Sequence, residues 1–264
     1  MIKIAVLTGY GINCEEETAY AFGLAGGKAE IVHINDLVEK IKRLDDFQIL
    51  AFPGGFSYGD DTGSGNAYAN RIKNHLWDQV LDFVKKDKLV IGVCNGFQIM
   101  VNLGLLPAFE GNFGKREVAL AHNKNVRYLD RWVDLENGNE SHWLAGVEKI
   151  SLPIAHGEGR FYAESEVLEK IKKKKLIALK YVRGEMCRYQ NLETNPNGSV
   201  EDIAAISDES GRILGIMPHP ERAIFFHHLP NWGYLKEKYE RKGKKIPEFG
   251  PGLKIFENGV NYFK

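Results

Sequence analysis

Net charge is missing from this chain: 35 Lys plus Arg balance 35 Asp plus Glu over 264 residues. A balanced surface offers no field to gather nucleic acid or an anionic membrane, so neither is expected as a partner. Long apolar runs are also missing, and none is of bilayer-spanning length. The opening Met1-Ile2-Lys3-Ile4-Ala5-Val6-Leu7 has no basic leader and no small-residue cleavage site, so it reads as a first strand and not a signal peptide. Cysteine is scarce, and Cys14, Cys94 and Cys187 are odd in number and far apart. That suits a reducing cytoplasm better than a disulfide framework. There is no Cys-x-x-Cys or His-Glu-x-x-His pattern, so no metal site is expected. Repeats, low-complexity tracts and clear linkers are absent too, and the expectation is one domain over residues 1–264.

What is present is a globular composition, 44% hydrophobic and 27% charged. Apolar runs at Ile2 to Leu7, Ala29 to Ile34, Gln48 to Phe52 and Leu89 to Val93 alternate with helical patterns at Glu15 to Gly26 and Ala67 to Lys85. Nearly continuous apolar strands alternating with helices indicate a parallel sheet covered on both faces. The expected fold is therefore α/β, an open, doubly wound and mostly parallel sheet. Ligands bind beyond the carboxyl ends of such strands, where the glycine-rich segments after Leu7, Phe52 and Val93 fall and border one crevice. From Glu117 to Phe161 the pattern turns irregular and reads as extended and hairpin structure added to the side of the sheet. Another hairpin is signalled at Asp208-Glu209-Ser210-Gly211, between Ala204 to Ile206 and Ile213 to Met217. The lysine-rich stretches Lys170 to Lys175 and Lys236 to Lys245 read as solvated surface.

Four short patterns compete to carry chemistry. Gly9-Tyr10-Gly11-Ile12-Asn13-Cys14 starts like a dinucleotide fingerprint, with Asp36 downstream, but Cys14 stands where close helix packing needs a small residue. Gly55-Phe56-Ser57-Tyr58-Gly59 spells G-x-S-x-G, yet a loop follows it instead of a helix. Asp61-Thr62-Gly63 matches an aspartic-protease triplet without the second copy that must share its proton. The fourth is Gly92-Val93-Cys94-Asn95-Gly96, where an apolar strand comes before and a helical pattern after. A cysteine on such a turn is held out at the sheet edge, and the unpaired N–H groups of the helix start favour its thiolate. The plainer alternative is a small buried thiol closing a core strand. Cys94 needs a proton acceptor, and His219 stands out among the 8 histidines. It follows a strand end, lies between Pro218 and Pro220, and has Glu221 two residues on. Pro220 suits a first helical position, and a carboxylate two residues away can accept the imidazole N–H and stabilise the imidazolium. A Cys–His–carboxylate set is what nucleophilic acyl transfer requires.

Gly92-Val93-Cys94-Asn95-Gly96-Phe97-Gln98 and Met217-Pro218-His219-Pro220-Glu221-Arg222 resemble the nucleophile elbow and His-x-Glu element of class I glutamine amidotransferases, whose sheet is flavodoxin-like. Gly11 to Glu15, Pro53 to Asp60, Pro153 to Arg160 and Asn195 to Ser199 narrow the likeness. They are similar to the glutaminase subunits and domains of phosphoribosylformylglycinamidine synthases of purine biosynthesis, over essentially the full chain. The resemblance implies that Cys94 attacks the side-chain amide of glutamine to give a glutamyl thioester. His219 would then protonate departing ammonia and activate water, with Glu221 orienting it. Gly55 fits the family's oxyanion-hole position because a glycine can turn its N–H inward without steric cost, and the Asn95 N–H is the second donor. Gln98, Phe56, His156 and Glu158 would hold glutamine. No cofactor is implied in this chain. ATP and magnesium belong to a separate synthetase subunit that receives the ammonia, and a small third subunit bridging the two halves is a further implied partner.

Two other readings are separable in principle. A stand-alone cysteine hydrolase of the same fold, peptidase or deglycase, would use Cys94 without preferring glutamine. A nucleotide-binding module built on Gly9 to Asn13 would leave Cys94 inert.

Overall fold

The computed structural model describes residues 1–264, the side chain of Gln190 excepted. Eleven strands are formed: β1 (Lys3–Thr8), β2 (Lys28–His33), β3 (Ile49–Phe52), β4 (Leu89–Val93), β5 (Val118–Ala121), β6 (Leu129–Asn137), β7 (Lys149–His156), β8 (Arg160–Ala163), β9 (Ile177–Val182), β10 (Ile203–Ser207) and β11 (Ile213–Ile216). Nine of them make one sheet in the order β2-β1-β3-β4-β11-β10-β9-β6-β7, while β5 and β8 pair separately. From β2 to β11 every neighbour is parallel, and from β11 to β7 every neighbour is antiparallel. The expected α/β sheet is thus present, and the irregular segment beyond Glu117 supplies the β6–β7 hairpin that extends its far edge. Every residue of β3, β4, β10 and β11 is buried. Successive side chains point to opposite faces, so full burial means that both faces are covered.

The helices are α1 (Glu15–Leu24), α2 (Ile34–Val38), α3 (Asn66–His75), α4 (Trp77–Lys85), α5 (Asn95–Leu103), α6 (Ser165–Lys173), α7 (Glu185–Gln190), α8 (Trp232–Arg241) and α9 (Leu253–Asn261). Phe22 of α1 meets Phe256 of α9 edge-on at 4.9 Å and Trp143 at 6.3 Å, forming the aromatic centre of one layer. In the other layer, α5 packs on β3, β4 and β11 beside α3. No described helix is long and apolar enough to cross a membrane.

The helical pattern from Ala67 to Lys85 is two helices, broken at Leu76 with φ −131°. The cause lies in spacing. Buried residues recur at Tyr68, Ile72, Leu76, Val80 and Val84, in steps of four. Against a repeat of about 3.6 residues per turn, that row would drift round a straight helix, and the break returns it to the core. The lysines of α6 and α8 are surface groups, as expected; Lys172, for example, bridges Glu169 and Glu201 at the surface.

Close approach of α5 to the sheet depends on glycine. A Cβ on Gly96 would stand 1.8 Å from the Phe52 carbonyl oxygen, a backbone atom that cannot yield. Gly96→Ala is expected to destabilise the fold by about 3 kcal/mol. At Gly23, inside α1, a Cβ meets nothing within 4 Å, and Gly23→Ala should stabilise by about 0.5 kcal/mol. Urea midpoints moving in these opposite directions would bear this out; an unchanged midpoint for Gly96→Ala would contradict it.

Candidate active site

The site begins with the pairing of β4 and β11. These strands are parallel neighbours with Val93 opposite Ile216, so both leave the sheet at the same end. Cys94 follows one residue later, its N–H donating to the Ile216 carbonyl at 2.8 Å. His219 follows three residues later and is anchored through its N–H to the Pro153 carbonyl of β7, also at 2.8 Å. Two side chains far apart in sequence are therefore brought to one sheet edge by register alone.

Cys94 has φ 51° and ψ −106°, a conformation that an L-residue adopts only at a cost. This is the sharp strand-to-helix turn expected of a nucleophile elbow. Its sulfur faces the Ala155 carbonyl at 3.7 Å. Asn95 opens α5, so its N–H lacks an intrahelical partner. The Asn95 side chain ties the neighbouring loops together. Its Oδ1 accepts the Ser57 N–H at 3.1 Å, while its Nδ2 donates to Gln98 Oε1 at 2.8 Å and Asp60 Oδ1 at 3.2 Å.

Gly55 lies in an isolated antiparallel bridge to Ile12. The bonds flanking that bridge run from Phe56 N–H to the Gly11 carbonyl, 2.9 Å, and from Asn13 N–H to the Gly54 carbonyl, 3.2 Å. In such a pair the central residue's own N–H turns away from its partner strand. Gly55 has φ 155°, and a Cβ there would sit 2.7 Å from the Gly11 oxygen, so only glycine fits. The crevice expected between the three glycine-rich loops is thus closed on one side by direct backbone pairing of the first two.

His219 caps a short helical turn with Pro220 at its first position, and its ring is buried. Nδ1 lies 2.5 Å from Glu221 Oε1, so Nδ1 carries a proton and the carboxylate accepts it. The other nitrogen, Nε2, is buried without a hydrogen-bond partner. Burial opposes a charge on this ring, but the Glu221 carboxylate and the sulfurs of Cys94 and Cys14 outweigh it and lift His219 well above 6.5.

A cleft of about 230 Å³ opens beside Cys94 and is lined by Gly55, Phe56, Gln98, His156 and Glu158, among others. All the substrate-contact candidates therefore meet at one cavity, whereas His219, Glu221 and Asn95 are not among its lining residues. Gln98 Nε2 donates to the Glu158 carbonyl at 2.5 Å. His156 is held through Nδ1 by Asn123 Oδ1 at 3.1 Å. Burial, reinforced by nearby His219, pushes His156 down to about 3, so it is neutral near pH 7. Ser57 is buried on its loop and the apparent G-x-S-x-G is no elbow.

Several residues here escaped sequence reasoning. Cys14 is fully buried beside His219, and Arg222 Nη2 donates to its sulfur at 3.1 Å. Its sequence signals were its position after a glycine loop at a strand end and its place in the Gly11 to Glu15 segment of the family resemblance. Asn123, also buried, donates through Nδ2 to the Arg127 and His156 carbonyls, both at 2.8 Å, and so joins the loop over the cleft to its floor. Cys14, His219 and Glu221 bring ligand-type atoms within 4.8 Å of one another. The Arg222 guanidinium on the Cys14 sulfur already places a cation in this cluster.

Comparison with known proteins adds findings of three kinds. Residues 1–263 match the family model of the CobB/CobQ-like glutamine amidotransferase domain. Phosphoribosylformylglycinamidine synthase subunit PurQ of Methanococcus maripaludis is 48% identical over 264 residues, covering 99% of this chain and 97% of that protein. The subunit of the same name from Dehalococcoides mccartyi is 40% identical over 263 residues, with 99% and 97% coverage. Among solved structures, a chain of PurLQS from Thermotoga maritima superposes with TM-score 0.70 at 29% identity, covering 100% of this chain and 99% of that one. A glutamine amidotransferase from the same organism, 12% identical with TM-score 0.53, shares the fold.

The His219–Glu221 contact sets a pH signature. A raised histidine pKa means that the pair's contribution to stability is full below pH 6.5 and fades as pH rises through the folded-state value. In Glu221→Gln, burial persists while the carboxylate is lost, so His219 should titrate at lower pH than in the wild type. Imidazole NMR titration measures this, and identical midpoints in the two proteins would contradict the assignment.

Proposed function

This chain belongs to the glutamine amidotransferase family, as a glutaminase subunit of phosphoribosylformylglycinamidine synthase, and from that premise we propose that Cys94, His219 and Glu221 are its catalytic set. The observation that carries the proposal is the elbow cysteine lining a cleft while a buried His–Glu pair leaves the sheet beside it. Cys94, its proton passed to Nε2 of His219, attacks the side-chain amide carbon of glutamine, and the carbonyl oxygen becomes an oxyanion. The N–H groups of Gly55 and Asn95 bind that oxyanion, a role supported by their lack of other partners. His219 donates its proton to the leaving nitrogen, ammonia departs, and a glutamyl thioester remains on Cys94. Neutral again at Nε2, His219 takes a proton from water, which attacks the thioester and releases glutamate. Glu221 holds the ring and offsets the positive charge that forms on it. Gln98, Phe56, His156 and Glu158 hold the substrate.

The chain works with a synthetase subunit, a partnership supported by its likeness to a chain of PurLQS. That partner receives ammonia through an internal channel and uses ATP and magnesium to form the amidine. A small third subunit bridges the two, and glutamine hydrolysis is slow until the partner docks. One continuous nine-stranded sheet supports reading residues 1–264 as one domain.

Incubation with a glutamine-mimicking diazoketone followed by peptide mapping tests the site. Labelling should fall on Cys94 and be blocked by excess glutamine, and Cys94→Ala should release no ammonia from glutamine. Labelling indifferent to glutamine would favour a general cysteine hydrolase, and a Cys94→Ala protein with wild-type turnover would refute the mechanism.

A further inference from the structure

The carboxylate that holds the histidine is only half used. Glu221 is buried, and its Oε1 accepts from His219 Nδ1 at 2.5 Å, while Oε2 has no hydrogen-bond partner among the described residues. A buried carboxylate oxygen left bare is costly, and a guanidinium is the group best shaped to take both oxygens at once. One stands beside it. Arg222 is the next residue, and its Nε lies 3.9 Å from Glu221 Oε1, close enough to attract and too far to hydrogen-bond.

That guanidinium is engaged elsewhere. Arg222 Nη2 donates to Cys14 Sγ at 3.1 Å, and the sulfur has lone pairs free for it because its own hydrogen is directed to Asn13 Oδ1 at 3.3 Å. Cys14 is placed by its backbone, independently of Arg222. It caps the start of α1, its N–H donates to the Gly54 carbonyl at 3.2 Å, and its carbonyl accepts from the Thr18 N–H at 3.1 Å and the Thr18 hydroxyl at 2.7 Å. The same glycine joins it to the histidine. A Cβ on Gly54 would meet Cys14 Sγ at 3.1 Å and His219 Cε1 at 2.8 Å, so sulfur and ring flank one bare backbone position. The charged and titratable groups facing the ring are Glu221 and Arg222 from its own turn, Cys94 from the elbow, Cys14 from α1, neutral His156 from β7, and Tyr128 beside β6.

We propose that Cys14 is a positioning residue of the reaction: its sulfur holds the Arg222 guanidinium off Glu221 and so reserves that carboxylate for His219. The proposal rests on the catalytic reading of Cys94, His219 and Glu221 and deepens it. Without the sulfur, the guanidinium turns onto Glu221, fills the bare Oε2 and shares Oε1 with the imidazole. A carboxylate shared with a permanent cation stabilises the imidazolium less. His219 then takes the Cys94 proton less readily, and attack on the amide slows. Cys14 is not among the residues lining the cleft, so its effect falls on turnover and leaves glutamine binding as it was.

Two measurements test this together: ammonia release from glutamine by the chain assembled with its synthetase partner, and imidazole NMR titration of His219 in the full chain. Cys14→Ala should lower kcat about tenfold with KM unchanged, a part of what a well-placed acid and base contributes, and should move the His219 midpoint to lower pH. Cys14→Ser, whose hydroxyl also accepts from Arg222 Nη2, should return both towards the wild type. Arg222→Gln removes the cation and should raise the midpoint. With Arg222→Gln in place, adding Cys14→Ala should lower the midpoint far less than it does alone, because the two residues act through one contact. An unmoved midpoint in Cys14→Ala, or the same drop with and without the arginine, would overturn the proposal. Should Cys14→Ala fail to fold, Arg222→Gln decides, and a midpoint that does not rise in it overturns the proposal equally. A Cys94→Ala protein with wild-type turnover would instead overturn the catalytic reading beneath, on which the His219 midpoints do not depend.

Discussion

The parallel pairing of β4 with β11 is the constraint on which the site depends. Register opposite Val93 and Ile216 fixes where each strand stops, and the chemistry-bearing residues follow at once. Cys94 is bonded by its backbone to β11, and His219 by its backbone to β7, so neither relies on a flexible loop for placement. Glycine makes the arrangement possible. Gly96 lets α5 descend onto the Phe52 carbonyl, and Gly54 leaves room for both Cys14 and the His219 ring, which a Cβ would meet at 3.1 and 2.8 Å. A one-residue slip between β4 and β11 would invert the side-chain directions and dismantle the site.

Around that frame the electrostatics are layered. The His219–Glu221 contact is buried, and its carboxylate lies 3.9 Å from Arg222, which also donates to Cys14. A cation in the same network moderates the carboxylate that holds the histidine. Removing one member of such a buried set leaves a charge unpaired, which costs more than the intact pair contributes. His156, close by, is kept neutral, so the two buried histidines of the site are driven to opposite protonation states.

Much of this was legible in the sequence because it follows local rules. The apolar runs before Gly9, Gly54 and Cys94 marked strand ends, and Pro218-His219-Pro220-Glu221 marked a capped turn after a strand. Cys94, His219 and Glu221 stood out because each sits where backbone geometry is dictated by its neighbours. Other features depend on contacts that no local pattern records. Cys14 looked like a defect in a nucleotide loop, and only tertiary packing brings it to His219. Asn123 tied down a stretch whose periodicity was weak. The break at Leu76 was visible in the four-residue spacing of apolar positions, but that spacing also mimics one long helix.

The central claim is that Cys94 carries the acyl group between the departure of ammonia and the arrival of water. Rapid acid quenching of the assembled complex during turnover with glutamine, followed by mass spectrometry of the Cys94 peptide, tests it directly. A glutamyl adduct on Cys94 that forms within the first turnover and disappears when glutamine is exhausted is the predicted result. Steady ammonia release with no adduct on Cys94, or with an adduct on another residue, would contradict it.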